Sequence, residues 1–150
     1  HHYNLGLLYS AQGKEDAAKL EYERVIELDP KYAAAHNNLG SIYVNQGDQE
    51  EAEVKFLESM KLSPQDPVPH NNLGNLYMKQ GKQLEAETAF NKAIDLDPDY
   101  ANAHYNLGLL YERQKKYELA KQQFERALKI APDHEEAKSG LERVIKKLDE

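Results

Sequence analysis

The chain contains no cysteine and no tryptophan. Without thiols, disulfides, thiolate metal sites and cysteine nucleophiles are all excluded. No apolar run approaches the roughly 20 residues that span a bilayer, so membrane insertion is not expected. No charged-then-apolar leader opens the chain, but the chain starts mid-pattern, so the compartment stays open, with the cytoplasm as the default expectation. An excess of basic charge is also missing. Nineteen Lys+Arg against 26 Asp+Glu leave a net charge of −7, the wrong sign for binding a nucleic-acid backbone. β-branched residues are few, so strands are not expected. There is no phosphate-cradling glycine loop, no His-Glu-x-x-His pair and no nucleophile elbow. The expectation is therefore a chain that is not an enzyme and carries no cofactor and no metal.

What the chain does have is a period of 34 residues. Leu-Gly recurs at Leu5-Gly6, Leu39-Gly40, Leu73-Gly74 and Leu107-Gly108. Tyrosine follows at Tyr9, Tyr43, Tyr77 and Tyr111, and alanine at Ala18, Ala52, Ala86 and Ala120. An aromatic comes four residues after each alanine, at Tyr22, Phe56, Phe90 and Phe124. Proline closes each unit, at Pro30, Pro64, Pro98 and Pro132. No insertion or deletion breaks the register, and a fixed period in this range signals a stacked array.

Each unit reads as two helices. Apolar residues fall at helical spacing, as in Ala18, Tyr22, Val25 and Ile26. Gly13, Gly47 and Gly81 mark the turn between the first and second helix of a unit. The prolines stop the second helix, because the residue before a proline is pushed out of helical geometry. The recurring glycine and alanine remove bulk where two backbones approach, and the aromatics fill the space around that contact. These residues explain packing and are silent about a ligand.

The pattern resembles the tetratricopeptide repeat (TPR) family. The resemblance implies an all-α, right-handed α–α solenoid of four helix-turn-helix units plus a C-terminal capping helix. The four repeats span 1–134, as 1–32 (truncated at its start), 33–66, 67–100 and 101–134. Three departures from the family pattern stand out. His2, His36, His70 and His104 occupy the position where the family favours tryptophan. Lys115 replaces the turn glycine in the fourth unit, and Ser59 replaces an alanine in the second. In 135–150, Ala137, Leu141, Val144, Ile145 and Leu148 form one apolar stripe opposite Glu142, Arg143, Lys146 and Lys147, as a terminal cap requires. Nothing comparable caps the start, so further repeats are expected upstream.

The four histidines sit one per unit, on helices stacked about 8–10 Å apart. Zinc holds its nitrogen ligands at roughly 2.0–2.1 Å, so they are expected to be half-buried fillers and not ligands. Charge is uneven. Residues 33–66 carry two basic and six acidic side chains, and 101–134 carry six basic and four acidic. A solvated outer face accounts for most of these.

In the TPR family the first helices line a concave groove, which directs attention to one set of positions. Asparagine stands at Asn4, Asn38, Asn72 and Asn106, preceded by Tyr3, Asn37, Asn71 and Tyr105. One turn later come Leu7, Ser41, Asn75 and Leu109. A primary amide offers a donor and an acceptor, as a peptide bond does, so one asparagine per unit can hold an extended chain whatever its sequence. Each such bond contributes only about 0.5–1.5 kcal/mol net, so a row is needed. The row is similar to the asparagine ladder in the TPR superhelix of O-GlcNAc transferase, although no transferase domain accompanies it. Tyr3, Leu7, Met78, Tyr105 and Leu109 are expected to select apolar side chains. The family's clamp for chaperone C-terminal carboxylates is not matched, because its lysine and arginine positions carry no cation here. The expected function is a protein–protein interaction scaffold that binds a peptide segment of a partner. The alternatives are a self-associating structural scaffold, or the substrate-recruiting arm of a larger enzyme.

Overall fold

Nine α-helices and no strand make up the computed structural model, which describes residues 1–150. In chain order they are α1 (His2–Ala11), α2 (Glu15–Leu28), α3 (Ala33–Asn45), α4 (Gln49–Leu62), α5 (Pro67–Lys79), α6 (Gln83–Leu96), α7 (Ala101–Arg113), α8 (Tyr117–Ile130) and α9 (Glu135–Leu148). Four consecutive helix pairs are thus followed by a ninth helix. No helix is long and apolar enough to cross a membrane.

The chain divides into two units, His1–Asn72 and Leu73–Glu150, with the division inside α5. In the first, Ala18 and Tyr22 of α2 pack with Leu39 and Ile42 of α3. In the second, Phe90, Leu107, Leu110, Phe124 and Val144 form the buried centre. There α9 packs on α8 and also reaches α7.

Within every pair one contact repeats. A Cβ on Gly40 would stand 2.7 Å from the Phe56 ring, and Gly6, Gly74 and Gly108 face Tyr22, Phe90 and Phe124 in the same way. The glycine thus makes room for the ring itself, a tighter arrangement than aromatics merely flanking a glycine–alanine contact. Gly140 of α9 closes on the second side of Phe124.

The turns follow from backbone geometry. Gly13, Gly47 and Gly81 all have positive φ, between 73° and 84°, which L side chains resist. Lys115 takes the same conformation at φ 60° without being glycine. At the other end of each second helix, Asp29, Ser63, Asp97 and Ala131 leave helical geometry, with φ between −129° and −143°, immediately before a proline.

The histidines are more than fillers. His36, His70 and His104 are all buried. Nε2 of His36 lies 2.9 Å from the Pro30 carbonyl, and Nε2 of His104 lies 2.9 Å from the Pro98 carbonyl. Each ring therefore donates to the loop that enters its own helix, as the indole N–H of a tryptophan could. Nδ1 of His104 meets Gln123, and Nδ1 of His2 meets Glu21, in each case 19 residues on. The corresponding residue for His36 is Lys55, and its Nδ1 is buried without a hydrogen-bond partner. No three histidine, aspartate or glutamate side chains come together as a metal site.

Candidate functional site

The first helices of the pairs carry the expected binding residues, and each unit is best followed separately. In the first, Tyr3 is wedged between two aromatic rings, Tyr22 at 5.9 Å and Tyr32 at 5.0 Å between centroids. Burial pushes its phenol above the usual tyrosine value, against the pull of a hydrogen bond from Asn38. That bond runs from Asn38 Nδ2 to the Tyr3 hydroxyl, 3.2 Å. One period later the pattern recurs: Asn72 Nδ2 donates to Asn37 Oδ1 at 3.0 Å. Asn38 and Asn72 therefore each reach back 35 residues, to the side chain preceding the asparagine of the previous unit. Asn37 and Asn71 are buried, whereas Asn4 is exposed.

Leu7 is 43 % exposed. Ser41 Oγ donates back to the Asn37 carbonyl at 3.4 Å, a helix-internal bond. Leu7, Asn38 and Ser41 converge on a pocket of about 250 Å³ between α1 and α3. Tyr22 and Ile42, both nearly buried, form its apolar base. Asn45, one turn beyond Ser41 on the same helix face, also lines this cavity, and sequence reasoning missed its remaining wall, Ser10 and Glu15. Glu15 lies on α2, away from the helices that drew attention.

In the second unit, Tyr105 repeats the environment of Tyr3. Its ring lies 5.9 Å from Phe124 and 4.9 Å from His134. Burial again raises its pKa, with Arg143 opposing. Arg143 is itself held by Glu112 through two bonds of 2.9 Å, and these bonds raise its pKa. Asn106 is buried and Leu109 packs against the core, while Asn75 is half-buried. Met78 departs from expectation. It is only 8 % exposed and belongs to the apolar centre with Phe90 and Leu107, so its side chain has little surface to offer a ligand. Its thioether stem fills a gap between helices, a common use of methionine.

Comparison with known proteins places this geometry in context. Sequence profiles described as tetratricopeptide repeat match residues 3–67, 55–88 and 101–134, and one described as TPR repeat matches 74–115. No curated protein gave a sequence match. Among solved structures, Pseudomonas aeruginosa PilF is similar at a TM-score of 0.91 and 24 % identity, over 99 % of this chain and 68 % of that one. MamA is similar at 0.72 and 22 %, over 97 % and 95 %. The first TPR domain of Spaghetti (RPAP3), solved bound to the HSP90 peptide SRMEEVD, is similar at 0.75 and 29 %, over 81 % and 97 %.

Proposed function

The chain belongs to the tetratricopeptide repeat family, and on that premise we propose that it is a protein–protein interaction module which binds a peptide segment of a partner on its first-helix faces. The observation that carries this reading is the α1–α3 pocket, where Leu7, Asn38 and Ser41 meet over an apolar base. The peptide-bound relative supports the same class of ligand. The peptide in that complex is acidic, however, and the candidate positions here offer neutral amides, so a different segment is expected.

The asparagines serve two purposes in this proposal. Asn38 and Asn72 each use one N–H to tie neighbouring helices together. A primary amide has a second N–H and a carbonyl with two lone pairs. Those atoms are the ones proposed to meet the partner's main chain. The scaffold bonds fix the amide's orientation beforehand, which lowers the entropy cost of binding. Tyr3 and Leu7 supply apolar contact beside Asn4, Asn38 and Asn72 in the first unit, and Tyr105 and Leu109 do so beside Asn106 in the second.

A separation of the two roles tests the proposal. Peptide binders are selected from a random display library on the wild-type chain, and their Kd is then measured on two variants. Asn38→Ala combined with Asn72→Ala is expected to weaken binding about tenfold or more, from the loss of several bonds worth about 0.5–1.5 kcal/mol each. Tyr3→Phe removes only the scaffold partner of Asn38 and its pre-orientation, and is expected to weaken binding by clearly less than the double variant does. If the double variant binds as tightly as wild type, the asparagine row is not the contact surface.

A further inference from the structure

We infer that the α1–α3 pocket is a specificity site for a lysine side chain of the bound segment, an inference that rests on the peptide-binding reading above. The cavity's size points to a side chain. At about 250 Å³ it is smaller than the roughly 300–1,000 Å³ of clefts that hold whole small molecules. Its composition is divided. Leu7 supplies most of the apolar surface, over the nearly buried Tyr22 and Ile42, and Glu15 is the one carboxylate in the lining. A lysine has this same division, with a four-carbon stem that packs on apolar surface and a charged head with three N–H donors.

The carboxylate is held in place. Oε1 of Glu15 accepts a hydrogen bond from Asn45 Nδ2 at 2.6 Å. That bond fills one of the carboxylate's roughly four acceptor sites, and the others remain for charge-assisted bonds. The Asn45 amide crowds one edge of the carboxylate, which suits the compact ammonium of lysine better than the planar two-bond fork of arginine. The Asn45 carbonyl adds a neutral acceptor in the same lining, where Ser10 Oγ and the Tyr22 hydroxyl lie in hydrogen-bond contact at 3.2 Å. An acidic side chain would be repelled by Glu15, and a purely apolar one would leave the polar wall unpaired on desolvation.

The repeat provides an internal comparison. The positions equivalent to Glu15 are Gln49, Gln83 and Tyr117, and those equivalent to Asn45 are Ala11, Lys79 and Arg113. The carboxylate–amide pair occurs in the first unit only. Asp16 beside Glu15 accepts from Gln46 at 3.3 Å, and Lys14 and Lys19 lie against the rings of Tyr9 and Tyr43, so the assignment rests on Glu15 itself. The pocket thus gives one stretch of an otherwise sequence-tolerant surface a defined preference.

The test uses pentapeptides Ac-Ala-Ala-Xaa-Ala-Ala-NH2, with Xaa as lysine, arginine or norleucine, titrated into the isotope-labelled full chain. Amide shifts of Leu7, Ser41 and Asn45 report binding. The lysine peptide is expected to bind about tenfold more tightly than the norleucine peptide, the size of effect a charge-assisted bond produces at a partly exposed site. Glu15→Gln is expected to reduce lysine binding to the norleucine level while the rest of the spectrum stays unchanged. Equal binding of lysine and norleucine, or equal binding of arginine and lysine, overturns the assignment while the peptide-binding reading stands. If no peptide moves any first-helix amide at several-millimolar concentration and library-selected binders are also absent, both readings fail together.

Discussion

Lys115 is the residue with the least comfortable backbone in the molecule. At φ 60° it adopts the left-handed geometry that glycine supplies at the three equivalent turns. An L side chain there costs roughly 1–2 kcal/mol, and a glycine recovers part of that while adding freedom to the unfolded chain. Lys115→Gly is therefore expected to stabilise the protein by about 0.5–1 kcal/mol, measured as a higher urea midpoint at unchanged slope. A midpoint at or below wild type would show that the lysine side chain contributes more than its backbone loses. The departure at 115 was visible in the sequence, because the 34-residue period predicts glycine there. Its geometric consequence was not, since several turn types could have absorbed a lysine.

At the scale of the helix, the glycine–aromatic contact decides how closely each pair packs. A Cβ at position 40 would stand 2.7 and 2.8 Å from two atoms of the Phe56 ring. That ring is fully buried and cannot swing away. Gly40→Ala is expected to destabilise the first unit by about 1–3 kcal/mol, the usual range for overpacking, despite alanine's better helix propensity. The drop in Tm should be partly reversed by adding Phe56→Leu, and no recovery would mean the ring is not the obstacle. The helices themselves were legible: glycine, alanine, aromatic and proline recur in step, and each marks a physical event. The histidine contacts were less so. The bonds of His36 and His104 to Pro30 and Pro98 cross a turn six residues back, and periodicity carries no information on which ring nitrogen points where. The candidate site was half legible. The asparagine row and Leu7 are periodic features, but Glu15 enters the pocket from a second helix at a position with no counterpart in later units.

For the whole molecule, net charge and buried phenols set the response to pH. The Tyr111 hydroxyl donates to Glu87 at 3.0 Å, and burial first, then this carboxylate, push its pKa from 10.0 up to about 12. Between those values the unfolded chain has released a proton that the folded chain retains, so stability falls as pH rises through that window. Tyr3 and Tyr105 are shifted in the same direction, by burial first. Unfolding midpoints measured from pH 9 to 12 are expected to decline, with a shallower decline in Tyr111→Phe. A profile identical to wild type in that variant would place the alkaline sensitivity elsewhere. The net charge of −7 acts in the same direction at high pH, and at neutral pH it favours encounter with basic segments, more so at low salt.

The turn glycines at positions 13, 47 and 81 carry one practical corollary. A methyl group added at any of them would meet nothing within 4 Å, so only their torsion angles matter there, and no neighbour crowds them. Surface bends of that kind are where foreign sequence is best tolerated, because lengthening a flexible connection raises its closure entropy only slowly. A fluorescent reporter or an epitope tag spliced into the bend at Gly47 would therefore leave the neighbouring helices assembled.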